Sequence, residues 1–346
     1  MPNRYDGCYY VRCMLPLQAN LWDGSQKFLD APRDDQETMF RKAMASDIVV
    51  FQRPDQPDKT EAIKLLKQAG KKIVFDNDDT YKPDSGFPRL EIYANKQMIK
   101  KVNEELMKNV EQADLVTTTT NFLAKEYSDF NKNVVVLPNC VDPVDWPAPK
   151  RNKTKKIRIG MTGSVGYDDF KIIQDYLIKL SKRDDVQIVM FGLSLPKCNN
   201  SAVRELYKDA IELIESNGIE WHTHKPMSQY SEYLNDLRLD IMLIPRRETY
   251  FNKCKSNIKY LEASMLEIPV VASTFTDKDS PYDKDIVNGN NGFLATVDEF
   301  PKYTEMLIKD KKLREDIGKN AKEYVLNNYD INNNGYLWKE AFKQLT

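Results

Sequence analysis

Apolar residues fall along this chain in short runs rich in Val and Ile, separated by stretches with helical spacing. The runs 48–51, 72–75, 115–118 and 134–137 predict a first series of buried strands. The runs 157–160, 186–191, 219–221, 241–244 and 269–272 predict a second, and a further short strand follows the turn-rich segment 288–292. Between strands, 55–68 reads as a helix. So does 95–112, where Met98, Val102, Leu106 and Val110 recur at steps of four on one face. The segment 6–16 reads as the end of a strand region, and 302–346 as mostly helical. Trp338 and Phe342, four apart, form an apolar pair that needs a surface to dock on. Strands alternating with helices imply parallel sheets joined by right-handed crossovers. The Pro- and Lys-rich stretch 142–153 splits the pattern, so the chain predicts two facing, doubly wound α/β domains, 1–146 and 147–329.

Composition narrows the function more than the fold. At 346 residues the chain exceeds what one core usually serves, and 41% hydrophobic with 30% charged residues fits a soluble globular protein. A formal charge of −1 gives no global field toward nucleic acid or anionic lipid, though it leaves room for a local basic patch. Five cysteines (8, 13, 140, 198 and 254) show no CxxC spacing, which favours reduced thiols and a cytoplasmic setting over disulfides or a zinc site. No apolar signal core opens the sequence, and no run approaches the roughly 20 residues of a membrane span. Peripheral contact with the inner membrane face stays compatible with this composition. His222 and His224 are the two histidines, and no Ser–His–Asp arrangement is apparent.

Candidate chemistry concentrates at predicted strand ends. Lys255-Ser-Asn-Ile-Lys-Tyr-Leu-Glu262 reads as a helix start, with Ser256 as N-cap and Ile258, Leu261 and Met265 as an apolar stripe. Lys255, Lys259 and Glu262 share a neighbouring face. Cations at a helix N-terminus suit an anion such as a diphosphate, and a carboxylate about two turns in suits a ribose diol. The alternative is a solvated Lys/Glu face. Gly160-Met-Thr-Gly163-Ser164-Val-Gly166 follows a strand and lets backbone approach a phosphate or sugar, or simply makes a tight turn. Its spacing is not that of NAD binders. Arg246, Arg247, Lys253 and Lys255 form a local cationic cluster able to neutralise a leaving diphosphate, or a solvated loop. Asp76-Asn-Asp78-Asp79 reads as a carboxylate-lined pocket or an Asx-turn, with divalent metal as the sharper alternative. Tyr9, Tyr10 and Arg12 either face a cleft or, in the case of Tyr9, belong to a core face.

The order of these motifs, with 219–226, Pro245, Lys255-Ser-Asn-Ile-Lys-Tyr-Leu-Glu262-Ala, Ile268-Pro-Val-Val-Ala-Ser273 and Val287-Asn-Gly-Asn-Asn-Gly-Phe-Leu294, resembles the carboxyl domain of GT-B-fold glycosyltransferases, in particular the retaining family 4 group. Residues 113–118 and 136–142 resemble the end of such a first domain. The resemblance implies transfer of a sugar from a nucleotide-sugar donor, UDP-linked by default, with retention. It implies a terminal helix, about 330–346, crossing back to the first domain. It places Glu262 at the donor ribose, and Gly163 and Ser164 near the diphosphate with Lys255, Ser256, Asn257 and Lys259. His224 and Lys225 fall beside the base. Lys255, Arg246 and Arg247 then assist the leaving group in a front-face substitution. Tyr9, Tyr10, Arg12, Arg53, Asp76, Asp78 and Asp79 lie on the acceptor side, facing a glycan or glycolipid. No metal or other cofactor is expected. The sequence departs from the family pattern at Cys254, where a first motif glutamate is usual, and in lacking a first-domain histidine and glycine pair. Two other readings stay open. One is a modified-DNA acceptor, served by Arg4, Arg12, Arg53, Lys71 and Lys72. The other is a non-catalytic nucleotide-sugar-binding subunit.

Overall fold

The computed structural model describes residues 7–20, 35–86, 96–163, 167–192, 205, 208–216 and 218–345. Two parallel sheets organise them. The first runs β1 (Ile48–Gln52), β2 (Lys72–Asn77), β3 (Leu115–Thr118), β4 (Val134–Val136), in that spatial order. The second contains β5 (Ile157–Thr162), β6 (Val186–Phe191), β7 (Glu220–His222), β8 (Ile241–Ile244), β9 (Val270–Ser273) and β10 (Phe293–Ala295), ordered β7-β6-β5-β8-β9-β10. That order is the doubly wound one, which reverses direction between β5 and β8; ligands bind in the crevice outside the carboxyl ends of the strands there.

The strands are continuous apolar runs because both sheet faces are covered. In the second sheet Ile159, Met161, Ile188, Met190, Ile241 and Leu243 enter one core. Their neighbours Val189, Phe191, Met242, Ile244 and Val270 enter the other. In the first sheet Phe75 and Val116 face the helix Lys96–Gln112, where Leu106 and Val110 are fully buried. Val74 and Leu115 face the opposite way, into a cluster with Leu15, Ile331, Trp338 and Ala341. The helix Lys311–Tyr329 belongs to the second unit. Beyond it Val141 bridges to the chain around Asp330, donating its N–H to Tyr329 O at 2.9 Å and accepting from Ile331 N–H at 2.9 Å. The helix Tyr336–Lys343 then lays Trp338 and Phe342 against the first sheet.

Two expectations about elements need correction. Residues 7–20 are helical, interrupted by a π turn at Tyr10–Met14, and do not end a strand. Tyr9, Arg12 and Leu15 are buried at steps of three, which is helical spacing, with Pro16 buried beside them; a buried arginine in the middle disguised it. The helix after Lys255 begins at Ile258, with Asn257 as its N-cap, so Ser256 is not the cap.

Candidate active site

The carboxyl ends of β5 and β8 set the geometry of the site. Gly160 lies inside β5, not in the turn after it, and a Cβ there would stand 2.2 Å from Leu239. Its role is packing. Gly163 follows the strand and donates its N–H to Phe191 O at 3.0 Å, while a side chain on it would project into open space. Gly192, just past β6, has φ +95°, and its Cβ would come within 3.2 Å of Gly163 O. Two strand ends thus close on each other with backbone alone, and among the described residues nothing stands within 4 Å of a Cβ at Gly163. Ser164 and Gly166 lie outside the described residues.

Next to this turn stands a group built from three elements. The Tyr230 ring stacks on Phe191 with centroids 5.5 Å apart. Its hydroxyl donates to Glu262 Oε2 at 2.8 Å, and Lys259 Nζ reaches the same oxygen at 3.3 Å. Tyr230 also bonds Thr162, the last residue of β5, so Glu262 is held beside the strand end. Burial, followed by the nearby Glu262 charge, keeps the Tyr230 hydroxyl protonated well above the ordinary tyrosine range, which fixes it as a donor. Sequence reasoning missed Tyr230; its place in the segment after β7 carried no motif.

Around β7, His222 Nδ1 lies 2.8 Å from the Tyr233 hydroxyl and Nε2 lies 2.7 Å from Glu220. Lys225 Nζ sits 4.5 Å from the centre of the Tyr233 ring. His224 is exposed.

The loop after β8 is more neutral than its sequence implies. Arg246 Nη1 pairs with Asp169 at 3.0 Å. The Arg247 backbone N–H bonds Asp169 at 2.9 Å, and its guanidinium faces Asp168 at 3.7 Å. Asn252 Nδ2 adds a third bond to Asp169. Asp168 and Asp169, at the start of the helix Tyr167–Lys171, therefore tie the loop after β8 to that helix. Lys253 is turned to Glu248, Asp277 and Asp279. Of the four cations, Lys255 is the one directed at the first sheet.

Residues 249–256 form a strap between the two sheets. Phe251 and Cys254 are buried in the same cluster as Phe75, Tyr81 and Tyr127. Phe251 N–H bonds Ser85 O at 2.7 Å, Thr120 Oγ1 donates to Cys254 O at 3.1 Å, and Asn139 Nδ2 donates to Ser256 Oγ at 2.9 Å. Tyr250 donates to the buried Glu126 at 3.1 Å, which also accepts from Thr80 at 2.9 Å. Lys255 pairs with Asp79 at the end of β2. Asn257 Nδ2 is committed to buried Asp285 at 2.7 Å. Burial, then Glu126, raises the Cys254 thiol above its usual range, so the residue is an apolar anchor rather than a reactive group.

Facing the strap, Arg53 Nη2 bonds Asp78 at 2.6 Å and Asp79 at 3.3 Å. Arg53 holds φ at +50°, strained for a non-glycine residue. Burial opposes ionisation of Asp78, but Arg53 and Lys255 overcome it and keep the carboxyl below its ordinary range. Asn77 Oδ1 accepts from Asp79 N–H at 3.3 Å, so the acidic run is shaped by an Asx-turn. Asp76 is buried against Arg12, 2.7 Å apart, with Thr117 as a further donor. Tyr9 is core, and Tyr10 bonds Asp145. Arg12 and Asp76 thus brace the first unit from inside. Among the described residues no group of three or more His, Cys, Asp or Glu is arranged to hold a metal ion. No described helix is long and apolar enough to cross a membrane.

No family model matches the chain. The capsular polysaccharide biosynthesis glycosyltransferase CapM of Staphylococcus aureus is 26% identical over 189 residues, covering 53% of this chain and 44% of CapM. The chain therefore spans less than half the length of that relative. Among solved structures, Anabaena HepE in complex with UDP-glucose aligns over 89% of this chain and 81% of its own, with TM-score 0.64 and 14% identity. Sucrose-phosphate synthase from Thermosynechococcus elongatus aligns over 92% and 81%, with TM-score 0.62 and 14% identity. TarM, of S. aureus, aligns over 85% of this chain and 54% of its own, with TM-score 0.61 and 14% identity. With two parallel sheets, the second in doubly wound order, and this likeness to solved glycosyltransferases, the chain has the GT-B fold.

Proposed function

We propose that the protein is a retaining glycosyltransferase that moves a sugar from a UDP-linked donor to a hydroxyl acceptor, a glycan or glycolipid. Residues 147–329 bind the donor, and 1–146 with the terminal segment that holds the helix Tyr336–Lys343 present the acceptor. The observation that carries this reading is the meeting of Glu262, Lys259 and Tyr230 with the end of β5, at the crevice where a doubly wound sheet takes its ligand. Glu262 receives the ribose hydroxyls. The diphosphate lies at the end of β5 beside Gly163, toward the start of the helix Ile258–Met265, whose dipole favours an anion. Lys225 and Tyr233 flank the base. The binding of UDP and UDP-glucose by HepE, and the CapM likeness, support a UDP-linked donor.

In this mechanism Lys255 stabilises charge on the departing diphosphate, the largest single contribution expected of such a site. Arg246 and Arg247 act at second hand, because Asp168 and Asp169 already hold them; they keep the loop after β8 against the helix Tyr167–Lys171. The leaving phosphate oxygen takes the acceptor proton on the same face. Holding both substrates between the sheets supplies the entropic part of the rate. No metal or other cofactor takes part, and the chain works in the cytoplasm, where its free thiols persist.

A nucleic-acid acceptor has less support. Arg12 is buried against Asp76, and Arg4 lies outside the described residues. Lys72 pairs with Ile48 at the opposite end of the sheet from Arg53, about 16 Å away at 3.3 Å per residue.

A thermal-shift screen against nucleoside diphosphates and nucleotide sugars tests the proposal, because ligands of the native state raise its apparent stability. UDP and at least one UDP-sugar should raise the midpoint, and Glu262→Ala should remove the rise. Stabilisation by none of them would refute the donor site.

A further inference from the structure

We propose that Asp79 and the donor diphosphate compete for Lys255, so that the two substrate sides of the cleft share one cation. The inference rests on the donor-site reading above. Lys255 leaves the second unit at the end of the strap and pairs with the Asp79 carboxylate of the first. Asp79 is a fixed partner, since its backbone oxygen accepts from Asn77 Nδ2 at 2.8 Å and from the Tyr127 hydroxyl at 3.2 Å. Its other nearby cation, Arg53, is committed more closely to Asp78, at 2.6 Å against 3.3 Å. The four formal charges of Arg53, Lys255, Asp78 and Asp79 cancel, so Lys255 carries no spare charge while paired with Asp79.

A diphosphate arriving near Ser256 and the following helix offers more negative charge and more acceptor oxygens than one carboxylate. Lysine can answer it, because its ammonium is a compact charge on a flexible four-carbon stem, unlike the rigid guanidinium fork. Turning Lys255 toward phosphate leaves Asp79 without its closest counter-ion. Asp79 then lies beside the leaving group, on the face from which a retaining transfer takes its acceptor. Asp79 is in this sense a positioning residue: it parks Lys255 in the empty cleft and is released only when the donor is present.

Calorimetric titration of UDP into the wild-type chain, Lys255→Met, Asp79→Asn and the double variant at low ionic strength tests the exchange. Lys255→Met should weaken UDP by about tenfold or more, the scale of a lost charge-assisted contact. Asp79→Asn should tighten UDP by about three- to tenfold, because the competitor for the cation is gone. The double variant should bind as Lys255→Met does, with no tightening. Asp79→Ser serves if the Asn variant does not fold. A structural Asp79 would weaken UDP or leave it unchanged when substituted. That result, with Lys255→Met still weak, overturns the exchange and leaves the donor site standing. Equal UDP affinity in wild type and Lys255→Met, or no UDP binding by wild type, overturns the donor reading itself.

Discussion

At the scale of single residues, identity in the sequence and availability in the structure are separate matters. Four cations near 246–255 look alike in sequence. In the structure Arg246, Arg247 and Lys253 are spent on carboxylates of their own unit, and Lys255 reaches across to the first. Lys255→Ala should therefore lower turnover by about a hundredfold, the scale of a removed charge-stabilising donor. Arg247→Ala should act mainly on stability and donor KM, and steady-state kinetics on both variants separates the two. The partners that make this difference, Asp168 and Asp169, are about 80 residues away in sequence, and no local pattern announces them. Asp78 gives a pH prediction. Its pKa is depressed in the folded chain, so its contribution is present above the unfolded value, about 3.9, and fades as pH falls toward the folded one. Asp78→Asn should lower the thermal midpoint at neutral pH, and the gap to wild type should narrow as the solution is acidified below about pH 4.

At the scale of elements, the buried strands were readable because continuous Val/Ile runs have one explanation when both faces of a sheet are covered. β3, β6 and β8 fall where their runs predict. What sequence periodicity did not show is the strap at 249–256, since it is held by tertiary contacts of Tyr250, Phe251, Cys254 and Ser256, not by a repeating pattern. The same limit hid the helix at 7–20, where Arg12 is buried at a position an apolar residue would normally mark. The strap also carries a titratable contact. Burial raises the Glu126 carboxyl above its ordinary range, against the bond from Thr80, so its contribution is greatest at low pH and is lost as pH rises through the folded value. Glu126→Gln keeps an acceptor for Tyr250 and Thr80 without the charge. It should raise the melting midpoint at pH 7 and match wild type near pH 4, as followed by differential scanning fluorimetry.

At the scale of the whole molecule, the strap and the terminal helix both join the two sheets, one through Phe251 and Cys254, the other through Trp338 and Ala341. Trp338→Ala should cost about 3–5 kcal/mol of stability, the usual range for a buried aromatic cut to alanine. Denaturant titration with UDP present and absent should show the loss in both. Doubly wound order places a ligand crevice between β5 and β8 whatever the chain does elsewhere, which is why a neighbourhood for the proposed donor site could be read from strand ends alone. The central claim is that a nucleoside diphosphate lies in that crevice with its phosphates against Lys255. A crystal structure of the chain with UDP tests it most directly. The account predicts ribose oxygens on Glu262, diphosphate oxygens about 3 Å from Lys255 Nζ, and Asp79 no longer paired with that lysine. UDP bound elsewhere, or bound in the crevice with Lys255 still on Asp79, would contradict it.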